Sequence, residues 1–275
     1  YSFAGSLVTD PTNTLNFSIS SSGIFSRGNY ILSNPYASPI LISNMTTADF
    51  VNIDPTIYIY NTGSRQDWLD NNGISTVGNQ PGTYTSIPIN ASTTIQNNQI
   101  PSMQGFMIEA ITDGAPVTSF RFRYETVYKG SLTGINEPMR VRASENVQSE
   151  NGIMPLIKMD ILGVNSSDRV YLITVDGASK AYDPGWDGVK SLSSNVVQLF
   201  ANDANGRKLQ VNTDSDLNDT YVGLVSGGES TYTLRFTFND EMYGLYNSLY
   251  IQDLLTGTTN EITDGMEMSV SATAG

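Results

Sequence analysis

The chain has 275 residues, no cysteine, no histidine and a formal net charge of −13. Those absences exclude disulfides, thiol mechanisms, Cys-liganded zinc, iron–sulfur clusters and every Ser–His or Cys–His mechanism, while carboxylate-only hydrolysis and oxygen-liganded calcium survive. The acidic balance argues against nucleic acid and anionic lipid, which need clustered Lys and Arg, and suits solubility outside a cell.

Hydrophobic residues make up 39% of the chain and charged residues only 15%, so its polarity comes mostly from Ser, Thr, Asn and Gly. That composition suits β-structure with many turns and a substantial core. Tyr1, Phe3, Gly5 and Leu7 begin as if inside a strand, so the chain reads as a mature product or an excised fragment. No apolar run reaches the roughly twenty residues that cross a bilayer, so no membrane insertion is expected.

In chain order, Leu15, Phe17 and Ile19 alternate with Asn16, Ser18 and Ser20. Tyr30-Ile31-Leu32 is a strand that runs into Asn34-Pro35-Tyr36. Ile57-Tyr58-Ile59-Tyr60 is a dense β-forming run closed by Asn61-Thr62-Gly63. Phe120 to Tyr124 alternates strictly. Further strands are predicted at 154–162, 170–175, 196–200, 221–225, 231–238 and 248–253, with a last one over 266–272. Only 47–51 and 241–246 suggest a helical turn. No segment sustains an apolar helical stripe over three turns.

The fold class is therefore all-β: two tandem antiparallel β-sandwich domains of jelly-roll or Ig-like type. Gly130 to Gly152, rich in Gly and Asn, is the expected boundary, with domains over 1–134 and 135–275.

Two segments carry specific physical expectations. Pro35 fixes φ and pushes Asn34 into extended geometry, and the Asn34 side chain suits closure of a turn. Pro39 then restarts an extended chain through Ile42, so the segment reads as a corner between two sheets. In the other segment, Pro101 is placed at a strand start and Gly105 at a bulge. Phe106 and Ile108 then face one way, with Met107 and Glu109 opposite, and Gln104 satisfies a backbone group beside the bulge.

The order of these segments resembles a β-sandwich module of Bacteroidetes surface proteins exported by type IX secretion. That module has Gly-Asn-Pro-Tyr-Pro-Ser-Pro-Ile, then Ile-Tyr-Val-Tyr, then Ile-Pro-Pro-Gln-Gly-Phe-Phe-Val. The matching residues are Ser33 to Ile40, Ile57 to Tyr60 and Ile100 to Met107; Ser33 replaces Gly and Ala37 replaces Pro. Arg140 to Ala143, Leu156 to Leu162, Ala181 to Lys190, Ile251 to Gly257 and the strand from Met266 to Ala272 are also similar to the family. The resemblance implies placement outside the cell or on the outer-membrane surface, and a sorting domain following Gly275. It implies no catalytic residue. The implied partners are neighbouring domains of the same polypeptide, secretion machinery and other cell-surface proteins.

Candidate sites are few. Asp183-Pro184-Gly185-Trp186-Asp187-Gly188 is the densest loop. Asp183 and Asp187 suit structural calcium, and Trp186 suits stacking on a sugar ring; the alternative is an Asx-rich turn with Trp186 as a packing plug. Asp214, Asp216 and Asn218 alternate as in an EF-hand opening, but Asp219 stands where Gly is needed and Val225 where Glu is needed. A looser calcium site at Asp214 and Asp216 is what remains. Asn202 to Gly206 reads as a hairpin turn. Among Tyr58, Tyr60, Trp68 and Tyr84, Trp68 is the best exposed glycan contact. The carboxylate clusters at Glu109 with Asp113, Glu145 with Glu150, and Asp240 with Glu241 show no setting that splits two pKa values, so no catalytic residue is assigned.

The sequence thus supports a non-catalytic structural or adhesive module of a larger surface protein, with no cofactor beyond possible structural calcium. A carbohydrate-binding module using Trp68 or Trp186, and an accessory region of a secreted hydrolase, are the alternatives.

Overall fold

The computed structural model describes residues 11–18, 28–60, 83–96, 98–111, 115, 117–128, 152–164, 166–192 and 196–272. Within them the fold is all-β, with short 3-10 turns as its only helical elements. The chain divides into two compact units, Tyr1–Tyr60 with Ile87–Gly152 and Asn61–Ser86 with Ile153–Gly275. The expected boundary at 134/135 lies outside the described residues.

The first nine strands are β1 (Thr12–Phe17), β2 (Asn29–Ser33), β3 (Ile40–Leu41), β4 (Phe50–Val51), β5 (Thr56–Tyr60), β6 (Tyr84–Pro88), β7 (Gln99–Ile100), β8 (Gly105–Glu109) and β9 (Thr118–Arg123). They form sheets ordered β1-β9-β4, β2-β8-β5-β6 and β3-β7. The division between the units falls within β6. Alternation explains the pairing: Phe106 and Ile108 on β8 are buried while Gly105 is exposed. On β9, Phe120 and Phe122 are buried while Arg121 and Arg123 are half-buried. Phe106 meets Phe120 and Phe122 at centroid distances of 5.8 and 6.1 Å, so rings from two sheets interdigitate as in a sandwich. On the other face of β9, Arg121 and Arg123 both reach Asp49, at 2.9 and 2.8 Å. Burial pushes the Asp49 carboxyl up, but hydrogen bonds from Arg123, the Thr46 N–H and Arg121 outweigh it and hold the group below its ordinary range.

The corner at Asn34 behaves as its residues require: the chain leaves β2 in one sheet and enters β3 in another. Asn34 is 2% exposed, and its side chain does more than close the local turn. Its Oδ1 accepts the Tyr36 N–H at 2.9 Å. Its Nδ2 donates to the carbonyls of Ser38, Ile100 and Pro101 at 3.0, 2.9 and 3.1 Å. The Asn34 N–H donates to the Gln104 carbonyl, and Ser102 Oγ donates to the Tyr36 carbonyl at 2.7 Å. The Asn-Pro-Tyr and Gln-Gly-Phe segments are therefore one latch. Tyr36, held by it, packs edge-on against Phe122 and Tyr124.

The second segment departs from expectation in two ways. Gly105 is not a bulge, because β2 and β8 pair without a register shift from Asn29↔Glu109 to Ser33↔Gly105. The irregularity lies earlier, at Met103, whose φ is +62° in a turn closed by the Gln104 N–H on the Pro101 carbonyl. Pro101 follows β7 rather than opening β8. Gln104 does bond the backbone beside it, its Nε2 donating to the Gly105 carbonyl.

The second unit contains β10 (Leu156–Leu162), β11 (Ser167–Thr174), β12 (Gly188–Val189), β13 (Gln198–Asn202), β14 (Lys208–Asp214), β15 (Tyr221–Val225), β16 (Thr231–Phe238), β17 (Leu249–Gln252), β18 (Thr259–Ile262) and β19 (Glu267–Ser271). One sheet runs β15-β13-β14-β11-β10-β16-β19, with β12 also on β14, and β17-β18 form a separate pair. The sheet is antiparallel except where β11 and β14 run parallel. One face is apolar: Ile157, Met159 and Ile161 of β10 cluster with Val170, Leu172, Leu199, Leu234 and Phe236, and Ile262 of β18 joins them. The other face of β10 carries ions. Asp160 stands opposite Arg169 on β11 and accepts from its Nε and Nη2 at 2.6 and 2.9 Å. The Asn202–Gly206 hairpin is confirmed: Asp203 Oδ1 accepts the N–H groups of Asn205 and Arg207, and Gly206 takes φ +79°.

Asn34→Ala should lower unfolding stability by about 3 kcal/mol, because buried backbone carbonyls lose their donor. Asn34→Asp should not rescue it, since a carboxylate donates nothing to three carbonyls. Urea unfolding of both variants checks this.

Candidate functional site

The loop from Ser179 to Asp187 and the segment from Thr213 to Asn218 meet at one end of the second unit's sheet. Asp187 is fully buried just before β12. Its Oδ1 accepts the N–H and hydroxyl of Thr213 at 2.7 and 2.8 Å, and its Oδ2 accepts the Asp183 N–H at 2.8 Å. Burial pushes Asp187 up to about 6 against those donors. Asp183 in turn accepts from the N–H and hydroxyl of Ser179 at 2.7 and 3.0 Å. The Asp183 carbonyl closes the turn by accepting from the Trp186 and Asp187 N–H groups, and Gly185 supplies φ +81°.

Asp214, at the end of β14, is also buried. Its Oδ2 accepts from Lys180 Nζ at 2.7 Å, and the same ammonium donates to the Asn218 carbonyl at 2.6 Å. Asp216 lies 3.7 Å from Lys180 Nζ and accepts the Asn218 N–H at 2.8 Å. Asp219 tolerates the left-handed turn at φ +55° that an EF-hand gives to Gly. The four proposed calcium ligands thus come to the same end of the sheet, as two sets. Lys180 was not singled out from the sequence, yet its ammonium sits among carboxylate and carbonyl oxygens where a cation would bind. Among the described residues, no group of three acidic side chains could hold a metal ion.

Trp186 is half-buried, neither a full plug nor a free platform. It lines a recess of about 290 Å3 with Val175, Asp176, Gly177, Ala178, Asp183 and Pro184. Asp176 and Pro184 are exposed at that recess, while the Asp183 carboxylate is already used by Ser179. Of the other aromatic residues weighed as glycan contacts, Tyr58 is 2% exposed and pairs opposite Met107, while Tyr60 is 42% exposed at the strand end. Trp68 lies outside the described residues, as do Asp113, Glu145 and Glu150.

Adding millimolar calcium should leave the melting temperature unchanged while Lys180 fills its position. A rise reversed by a chelator would identify a metal site.

The chain is 32% identical to the minor fimbrium subunit Mfa5 of Porphyromonas gingivalis over 281 aligned residues. The alignment takes in 100% of this chain but spans only 22% of that protein's length. No solved structure matches. A family described as "Domain of unknown function (DUF8693)" matches residues 13–269. The chain belongs to that DUF8693 family.

Proposed function

We propose that this chain is a non-catalytic structural or adhesive module of a larger bacterial surface protein exported by type IX secretion. The observation that carries this reading is its end-to-end similarity to part of a minor fimbrium subunit. The Asn34-to-Gln104 latch supports it, because the residues that resemble type IX-secreted modules are spent on backbone bonds and packing. The acidic side chains around Asp187 and Asp214 are likewise engaged by N–H groups, a hydroxyl and an ammonium, as a scaffold requires. Neighbouring domains of the same polypeptide and other surface or fimbrial components are the partners that fit. Antibodies against this segment should label intact cells of the encoding organism, and the label should vanish when type IX export is deleted. Labelling only after lysis would contradict surface placement; surface labelling that survives the deletion would contradict the export route alone.

Carbohydrate contact is the second reading, favoured by the recess beside Trp186. A recess lined by an indole and an exposed carboxylate suits a sugar ring and its hydroxyls. Glycan-array binding that Trp186→Ala abolishes, and Asp176→Ala weakens, is the expected outcome. Binding unaffected by both substitutions would remove this site.

A further inference from the structure

One ion pair of the second unit differs from the rest. Lys190 and Asp168 have side chains each only 1% exposed, and Lys190 Nζ lies 2.6 Å from Asp168 Oδ1. Asp168 stands near the start of β11 and Lys190 immediately follows β12. Their positions are fixed from several sides. The Lys190 N–H donates to the Lys208 carbonyl on β14. Asp168 Oδ2 accepts the Leu199 N–H of β13 at 2.7 Å, and the Arg169 N–H also bonds this carboxyl. Arg169–Asp160, Arg235–Glu267 and Lys180–Asp214 each keep at least one partner partly in water.

Withdrawing both charges from water carries a desolvation cost that their attraction only partly returns. Moving one proton along the 2.6 Å bond gives a neutral amine beside a neutral carboxylic acid. Burial favours that form, and it pushes Asp168 up despite the Lys190 charge and the hydrogen bonds to it. These are the two functional groups of an amide, held immobile and in contact, which removes the entropic barrier to their reaction.

We propose that Lys190 Nζ and Asp168 Cγ condense to an intramolecular amide with loss of one water. The lysine nitrogen attacks Cγ, and the C–N bond forms as electrons shift onto Oδ2. The Leu199 N–H stabilises that oxyanion. Oδ1, already carrying the proton passed from the ammonium, takes a second proton from Nζ and leaves as water as the carbonyl reforms. No oxidant, metal or external group is consumed. The product replaces two buried charges with one neutral amide and ties β11 covalently to the chain beyond β12. This assignment does not depend on the proposed surface role.

Intact mass spectrometry of the purified folded chain tests it. The expected mass is one water below that calculated from the sequence. Protease digestion should yield a branched peptide joining Lys190 to Asp168, with trypsin unable to cut after Lys190. Lys190→Ala and Asp168→Ala should each restore the full mass of their own sequences. Wild-type protein of full sequence mass, giving separate linear peptides for the two residues, overturns the proposal whether or not the variants fold.

Discussion

The carboxamide of Asn34 is the constraint on which the first unit depends. One buried side chain accepts a local N–H and serves three carbonyls, two of them more than sixty residues away. No other residue type supplies an acceptor and two donors in so short a side chain. Its position fixes the exit from β2, the start of β3 and the turn that leads into β8. The aromatic core then follows, because Tyr36 is presented from one arm of the latch and Phe106 from the other. The backbone polarity of a chain switching sheets inside a sandwich has to be satisfied somewhere, and here one side chain does most of it.

The second unit solves the same problem with charge. Asp160, Asp187 and Asp214 are all buried, and each is met by N–H donors or a cation. An acidic chain thereby places part of its negative charge inside, as structural acceptors. This is why its densest Asp loops resemble ligand sites when read along the sequence. Asp187 and Asp214 bind the protein's own Thr213 and Lys180. The recess at that end is lined by the half-buried Trp186 and by the exposed Asp176 and Pro184.

Local features were legible from residues alone because they depend on near neighbours. The alternation of β8 and β9, the Asn202–Gly206 hairpin, the turn at Thr47–Asp49 and the sheet corner after β2 all appear where the pattern places them. Long-range partners were not legible. Asn34 reads as a turn former, and nothing near it shows that Ile100 and Pro101 need its donors. Gly105 reads as a bulge, yet the strain sits at Met103, a residue type that rarely signals a positive φ. Lys180 lies 34 residues from Asp214, so no spacing rule connects them. The parallel pairing of β11 with β14 is likewise a tertiary outcome that hairpin signals do not encode.

Scaffold and proposed surface role are linked by economy of chemistry: the most distinctive residues are spent on holding strands together. The Asn34 latch is the centre of that account, and exchange of its own side-chain protons tests it most directly. In NMR-detected hydrogen exchange, the Asn34 Nδ2 protons should be protected to the level of the slowest core amides of β8 and β9. Exchange of those protons at the rate of a solvent-exposed carboxamide, with the core amides still protected, would contradict it.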